Sequence, residues 1–234
     1  MPATERTFAG GGRVFPLEVK RAAVRRMTLR LDLRKKAVRL TLPRFAPLAP
    51  ALKWVEEKRD WVEAQLAQLP SQTPIVRGLI VPLGDESLTL DWNESHSRRV
   101  TRDGTMIRVG GPVEALPGRL TRWLKRQALD RLEAESRAMA HYHGLPLTTV
   151  GIGDPSSRWG SCSSSGAIRY SWRLILAPDF VLKATVAHEL AHLKHMDHSP
   201  RFYAFMAEVL GGDPKPARDW LKAHGRELHA WGQG

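Results

Sequence analysis

The segment 185–202, TVAHELAHLKHMDHSPRF, holds four histidines, His188, His192, His195 and His198, within eleven positions. His188 and His192 are four apart. On an α-helix that spacing sets one imidazole about 6 Å above the other with about 40° of rotation, so two ring nitrogens converge on one ion. The approach required is ~2.0–2.1 Å for zinc. Glu189 stands beside the first histidine, completing an H-E-x-x-H pattern whose carboxylate serves as general base toward a zinc-activated water. Val186, Ala187, Leu190, Ala191 and Leu193 surround these three groups with apolar surface. Ionisable side chains on an apolar helix are costly unless a partner satisfies them, and a zinc ion would. The competing reading, histidines with no metal, does not account for the apolar surround.

A catalytic zinc takes a third protein ligand and keeps one position open. His195 shares the stripe of His188 and His192, but its Cα lies about 10 Å along the axis from His188, too far for both rings to reach one ion. The third ligand must come from chain that has left the helix. His198 meets that condition, because the residue before Pro200 is pushed out of the α region and three to five residues suffice to turn back. A closed structural site would instead recruit His195 or Cys162 as a fourth ligand.

The elements that must position these groups are partly visible. RRMTLRLDLRKKAVRLTLP alternates, with Met27, Leu29, Leu31 and Leu33 on one face and Val38, Leu40 and Leu42 resuming the pattern after Arg34-Lys35-Lys36. That predicts a β-hairpin. Apolar positions at helical spacing predict a helix over 48–69, followed by short strands in LIVPL, SLTLDW, RRVTR and MIRVGG, with a hairpin turn at 102–105. A long amphipathic helix is expected over 117–143, ended by Gly144 and Pro146. WGSCSSSG reads as a loop, AIRYSWRLILAP as one alternating strand, and 179 onward as the histidine helix. Ser199-Pro200 stops that helix and caps another over about 200–210; a last one follows over about 215–229. No internal repeat is visible. The expected organisation is α+β: a β-rich unit over 1–113 with one inserted helix, then a domain over 114–234 of helices, the histidine helix among them, plus a small antiparallel sheet, with a boundary at GPVEALPG.

The composition is that of a globular chain, 42% hydrophobic and 26% charged over 234 residues. No apolar run approaches the ~18 residues that cross a bilayer, and the N-terminal stretch lacks the apolar core of a secretory signal. Cys162 is the only cysteine, so no internal disulfide is possible. The expectation is a cytoplasmic protein without a membrane partner. Net charge is 36 − 24 = +12, and ten basic residues against Asp32 alone fall between Lys20 and Arg44. Such a stretch is either a solvated basic face or a surface for nucleic acid.

RWGSCSSSGAIRYSWRLILAP followed by HELAHLKHMDHSPRFY resembles the YgjP-like metallopeptidases, relatives of the SprT-like zinc proteases, over about residues 150–206. The N-terminal RRMTLRLDL…VRLTLP is similar to that family's opening strands. The family's extended motif maps onto His188, His192 and His198, followed by Pro200 and Phe202. The resemblance implies one zinc held by those three histidines, Glu189 as base and a compact zincin fold with the sheet against the active-site helix. It also implies a strand before that helix whose free edge holds an extended peptide by β-augmentation. On that basis Ile168, Arg169, Tyr170 and Arg173, within 167–173, are candidate substrate-binding residues. Tyr203 and Arg173 are candidates to stabilise the oxyanion. Arg158 and Trp159 are candidates to shape a loop beside the zinc, with structural packing the alternative for Trp159 and for Cys162. His141, His143, His224 and His229 read as surface residues at helix ends.

Three functions are compatible with these observations. The first is a zinc-dependent peptidase acting on protein or peptide. The second is a protein-processing factor brought to DNA by the basic hairpin at 20–44, since SprT-like relatives act on proteins attached to DNA. The third is a non-catalytic module with a structural zinc.

Overall fold

The computed structural model describes residues 7–10, 13–32, 37–67 and 73–232. The chain divides into two compact units, Met1–Ser71 and Gln72–Gly234. In the first, β1 (Thr7–Gly10), β2 (Arg13–Ala22), β3 (Thr28–Asp32) and β4 (Ala37–Pro43) form a sheet in the order β1-β2-β4-β3. β3 and β4 are the expected antiparallel hairpin, registered Leu29 to Leu40 and Leu31 to Val38. Leu33 and the Arg34-Lys35-Lys36 turn lie outside the described residues. β1 and β2 were not legible in the sequence; β2 pairs antiparallel with β1 and parallel with β4. The period-2 face of β4, Val38, Leu40 and Leu42, joins Phe8, Phe15, Val55 and Val62 in one core. The single helix expected over 48–69 is two, α1 (Leu48–Glu57) and α2 (Arg59–Ala67), parted at Lys58. Neither glycine nor proline marks that break, so nothing local announces it.

The second unit opens with β5 (Ile80–Leu83), β6 (Glu86–Trp92), β7 (Thr101–Asp103) and β8 (Met106–Val109), ordered β5-β6-β8-β7. The turn at 102–105 is present, with Gly104 at φ 57°, a left-handed conformation that glycine adopts without strain. β5 and β6 are antiparallel, β6 and β8 parallel, β7 and β8 antiparallel. Strand order and pairing senses match those of the first unit's sheet. The chain therefore repeats a sheet topology without repeating a sequence.

Val81, Leu83, Leu88, Leu90, Ile107 and Val109 share a core with Leu116, Leu120 and Leu124 of α3 (Leu116–Tyr142). The division consequently falls at Ser71 and Gln72, not at 113/114. The change of character at GPVEALPG marks where strand gives way to helix within one core. α3 buries a stripe at every fourth residue, from Leu116 through Leu132 to Ser136 and Ala140.

A three-stranded sheet follows, β9 (Thr149–Gly153), β10 (Gly160–Cys162) and β11 (Ala167–Ser171), in the order β10-β11-β9. It is mixed, not antiparallel throughout as expected: β10 and β11 are antiparallel, but β11 and β9 are parallel because a connection long enough to cross over separates them. Within the loop expected at WGSCSSSG, Gly160–Cys162 form the short strand β10, and Ser163–Gly166 make the expected turn, closed by the Gly166 N–H donating to the Ser163 carbonyl at 3.0 Å. The alternating strand expected to run on to Leu176 ends at Ser171, and Trp172–Leu176 form a 3₁₀ turn. Arg173 and Ile175 are buried along with Trp172, Leu174 and Leu176, so the apparent alternation was not a two-faced strand. The unit closes with α4 (Asp179–Ala191), α5 (Pro200–Leu210) and α6 (Lys215–Ala230). The start of α4 is tied down from two sides: Asp179 pairs with Arg131 of α3, and its N–H donates to the Asp85 carboxylate at 3.0 Å.

Candidate functional site

α4 is apolar on nearly every side, which buries it, and the helix stops at Ala191 with His192 as its cap. The chain then tightens, with N–H donors of Leu193 and Lys194 reaching back three residues to Leu190 and Ala191. The helix thus ends eight residues before Ser199, earlier than the sequence suggested. Ser199 instead caps the next helix, its Oγ accepting from the Phe202 N–H, with Pro200 in the first turn. The segment between the two helices carries His198 back over α4.

His188, His192 and His198 form one donor cluster, with a ring nitrogen of each within 4.8 Å of the others. Nε2 of His188 and Nε2 of His198 are 3.3 Å apart. Two ligands ~2.05 Å from a tetrahedral zinc would be separated by ~3.3 Å, so the pair fits such an ion. His192 donates its Nδ1–H to the carbonyl of His195 at 3.1 Å, which leaves Nε2 as the nitrogen available to a metal. The imidazole of His195 is outside the cluster, against Phe205 at 5.9 Å between centroids. His195 therefore serves through its main chain. Phe202 lies 4.6 to 5.0 Å from the three histidine rings and fixes their common floor.

Burial, reinforced by the charges of His192 and His198, lowers His188 to about 4, and burial lowers His192 as well. Both are held neutral, the form that ligates a metal. Glu189 is buried, which raises it to about 7, with Arg158 opposing. Gly160 of β10 crosses directly over it: a Cβ there would stand 2.4 Å from the Glu189 carboxylate oxygen. The strand can pass so close only because the residue is glycine.

A cavity of about 340 Å³ opens beside His188 and Glu189. Arg158, Trp159, Tyr203, Met206, Ala217 and Leu221 are among its walls. Trp159 is stacked on His229 at 4.7 Å and lies against Gly225, where a Cβ would stand 2.9 Å from the indole. His229 is thus half-buried rather than a surface residue.

The expected substrate strand is placed differently. β11 is central, with β10 on one side and β9 on the other, so it has no free edge. Ile168 and Tyr170 point into the core, and the Tyr170 hydroxyl is 3.0 Å from Ser136 Oγ on α3. Arg169 donates from Nε to the Ile152 carbonyl on β9. Arg173 is buried, paired with Asp154 and donating to the Trp231 carbonyl at 2.9 Å. None of these four lines the cavity; Tyr203 does. The cavity residues of α6 were missed, because no local pattern ties 214–221 to a motif thirty residues upstream.

Three converging imidazoles beside a buried carboxyl and an open cavity make up the arrangement of a metal-dependent hydrolase. The YgjP-like metallopeptidase domain matches residues 25–224, and the chain belongs to that family. No curated protein and no solved structure matches it. No helix among the described residues is long and apolar enough to cross a membrane.

Proposed function

We propose that the chain is a zinc peptidase of zincin type with His188, His192 and His198 as ligands and Glu189 as general base. The observation that carries this is the three-nitrogen cluster with Glu189 buried alongside it at the mouth of a cavity. A zinc ion held there supplies Lewis acidity, polarising the scissile carbonyl and making water a stronger acid. Glu189 takes a proton from the attacking water as the new C–O bond forms. It delivers that proton to the amide nitrogen as the C–N bond breaks. Tyr203, in the cavity wall 6.2 Å from His198 between ring centroids, is the side chain best placed to donate to the developing oxyanion. The edge role assigned to β11 passes to β10, an edge strand of this sheet that crosses Glu189 at Gly160; an extended peptide would add along it.

The donor cluster among the described residues consists of the three histidines, without Cys162 or the His195 ring. That favours a site with an open position over a closed structural one. Replacing Glu189 by Gln should leave one zinc per chain by metal analysis and abolish hydrolysis of an unfolded protein substrate. Unchanged cleavage would refute the assignment.

A second reading is compatible with the first. Lys20, Arg21, Arg25, Arg26, Arg30 and Arg44 are exposed on the first unit, which supports association of the peptidase with nucleic acid.

A further inference from the structure

We infer that the cavity beside Glu189 selects peptides in which a bulky apolar side chain adjoins the scissile bond and a carboxylate follows it. This inference rests on the peptidase reading. A volume of about 340 Å³ is at the low end of ligand sites, roughly 300–1,000 Å³, and admits a side chain with its backbone rather than a folded surface. Trp159, Ala184, Met206, Ala217 and Leu221 make its walls apolar. Thr185 also lines it, but its hydroxyl donates to the Val181 carbonyl at 2.9 Å and so is turned away from a ligand. An apolar side chain gains by leaving water here, whereas a polar one finds little to replace its hydration.

Two cations border that apolar space. Arg158 and Arg218 line the cavity and are both exposed, one from the loop before β10 and one from α6. Arg158 acts electrostatically on Glu189, but neither guanidinium closes an ion pair among the described residues. A carboxylate following the apolar residue would receive charge-assisted hydrogen bonds from them, and a basic residue would be repelled. A chain terminus and an Asp or Glu side chain present the same group.

The test uses the full chain loaded with zinc. Peptides carry Leu, Ala or Lys at the cavity position. Each is followed by a free C-terminal carboxylate, by Glu with an amidated end, or by Gln with an amidated end. The kcat/KM should be on the order of tenfold higher for Leu than for Ala, and on the order of tenfold higher with a carboxylate than with the amide. Arg218→Glu should erase the carboxylate preference while keeping the Leu-to-Ala ratio. The two carboxylate arms separate a chain terminus from an acidic side chain. Equal kcat/KM across the panel, with chelator still stopping cleavage, overturns the selection and leaves the peptidase reading standing. If no peptide is cleaved, the peptidase reading fails. Selection is then read from fluorescence anisotropy of the same peptides on the zinc-loaded Glu189→Gln chain. Loss of both preferences there overturns the selection; their retention keeps it as selection in binding and overturns its placement at a scissile bond.

Discussion

At the scale of single residues, the site depends on a few close approaches. Gly160 lies over Glu189 with no room for a Cβ. Gly160→Ala should therefore displace the carboxylate and lower kcat by about 100-fold, as small misplacements of a catalytic group do. Metal analysis should still find one zinc per chain, since no ligand moves. His229 is a second such residue. Burial first, and then the charge of Arg173, lowers it to about 4, with Asp154 opposing. On acidification the unfolded chain, near the ordinary value of ~6.5, takes up this proton before the folded one. The contribution of His229 to stability is complete above that value and is lost as the pH falls toward 4. His229→Phe keeps a ring against Trp159 but cannot titrate, so its urea midpoint should fall less steeply over that interval. Coincident slopes would refute a buried neutral imidazole.

At the scale of elements, the three histidines proposed as ligands are delivered by a helix end and a helix start. α4 carries His188 and ends at His192; Ser199 caps α5 one residue after His198. Ser199→Ala should cost about 1 kcal/mol of stability and weaken zinc binding, read by competition with a chelator. Arg173 tests the opposite case. It sits in the 3₁₀ turn, fully buried and paired with Asp154. Arg173→Met removes one partner of that pair and should destabilise the chain by about 3 kcal/mol in urea unfolding. The folded fraction should keep its kcat, because the guanidinium does not line the cavity. A large loss of kcat with unchanged stability would restore Arg173 as the oxyanion residue.

At the scale of the molecule, the second unit contains the site and the whole core behind it. A fragment over 72–234 should fold and bind one zinc. A fragment over 114–234 should not, because it lacks Val81, Leu88, Leu90 and Ile107, which share the core of α3. Circular dichroism and metal content distinguish the two. The first unit carries the basic strands. Removing the charges at 25, 26, 30, 34, 35 and 36 should lower DNA affinity and flatten its salt dependence, by up to about one unit of slope per lost phosphate contact. An unchanged slope would reduce the patch to a solvated face.

The sequence alone determined the local geometry of the motif. The spacing of His188 and His192, the place of Glu189 and the exclusion of the His195 ring follow from 3.6 residues per turn, which is a local rule. The hairpin at 28–43 and the stripe on α3 were legible for the same reason, because periodicity is written into neighbouring residues. Tertiary structure decided what depends on partners far along the chain. Whether β11 has a free edge is settled by β9 and β10, whose short runs carry no alternation of their own. Whether Arg173 reaches substrate is settled by Asp154 and Trp231. The role of His195, through its carbonyl, depends on where α4 stops. The cavity walls on α6 meet the motif only because buried apolar surface, which has no direction along the chain, drew the two helices onto one core.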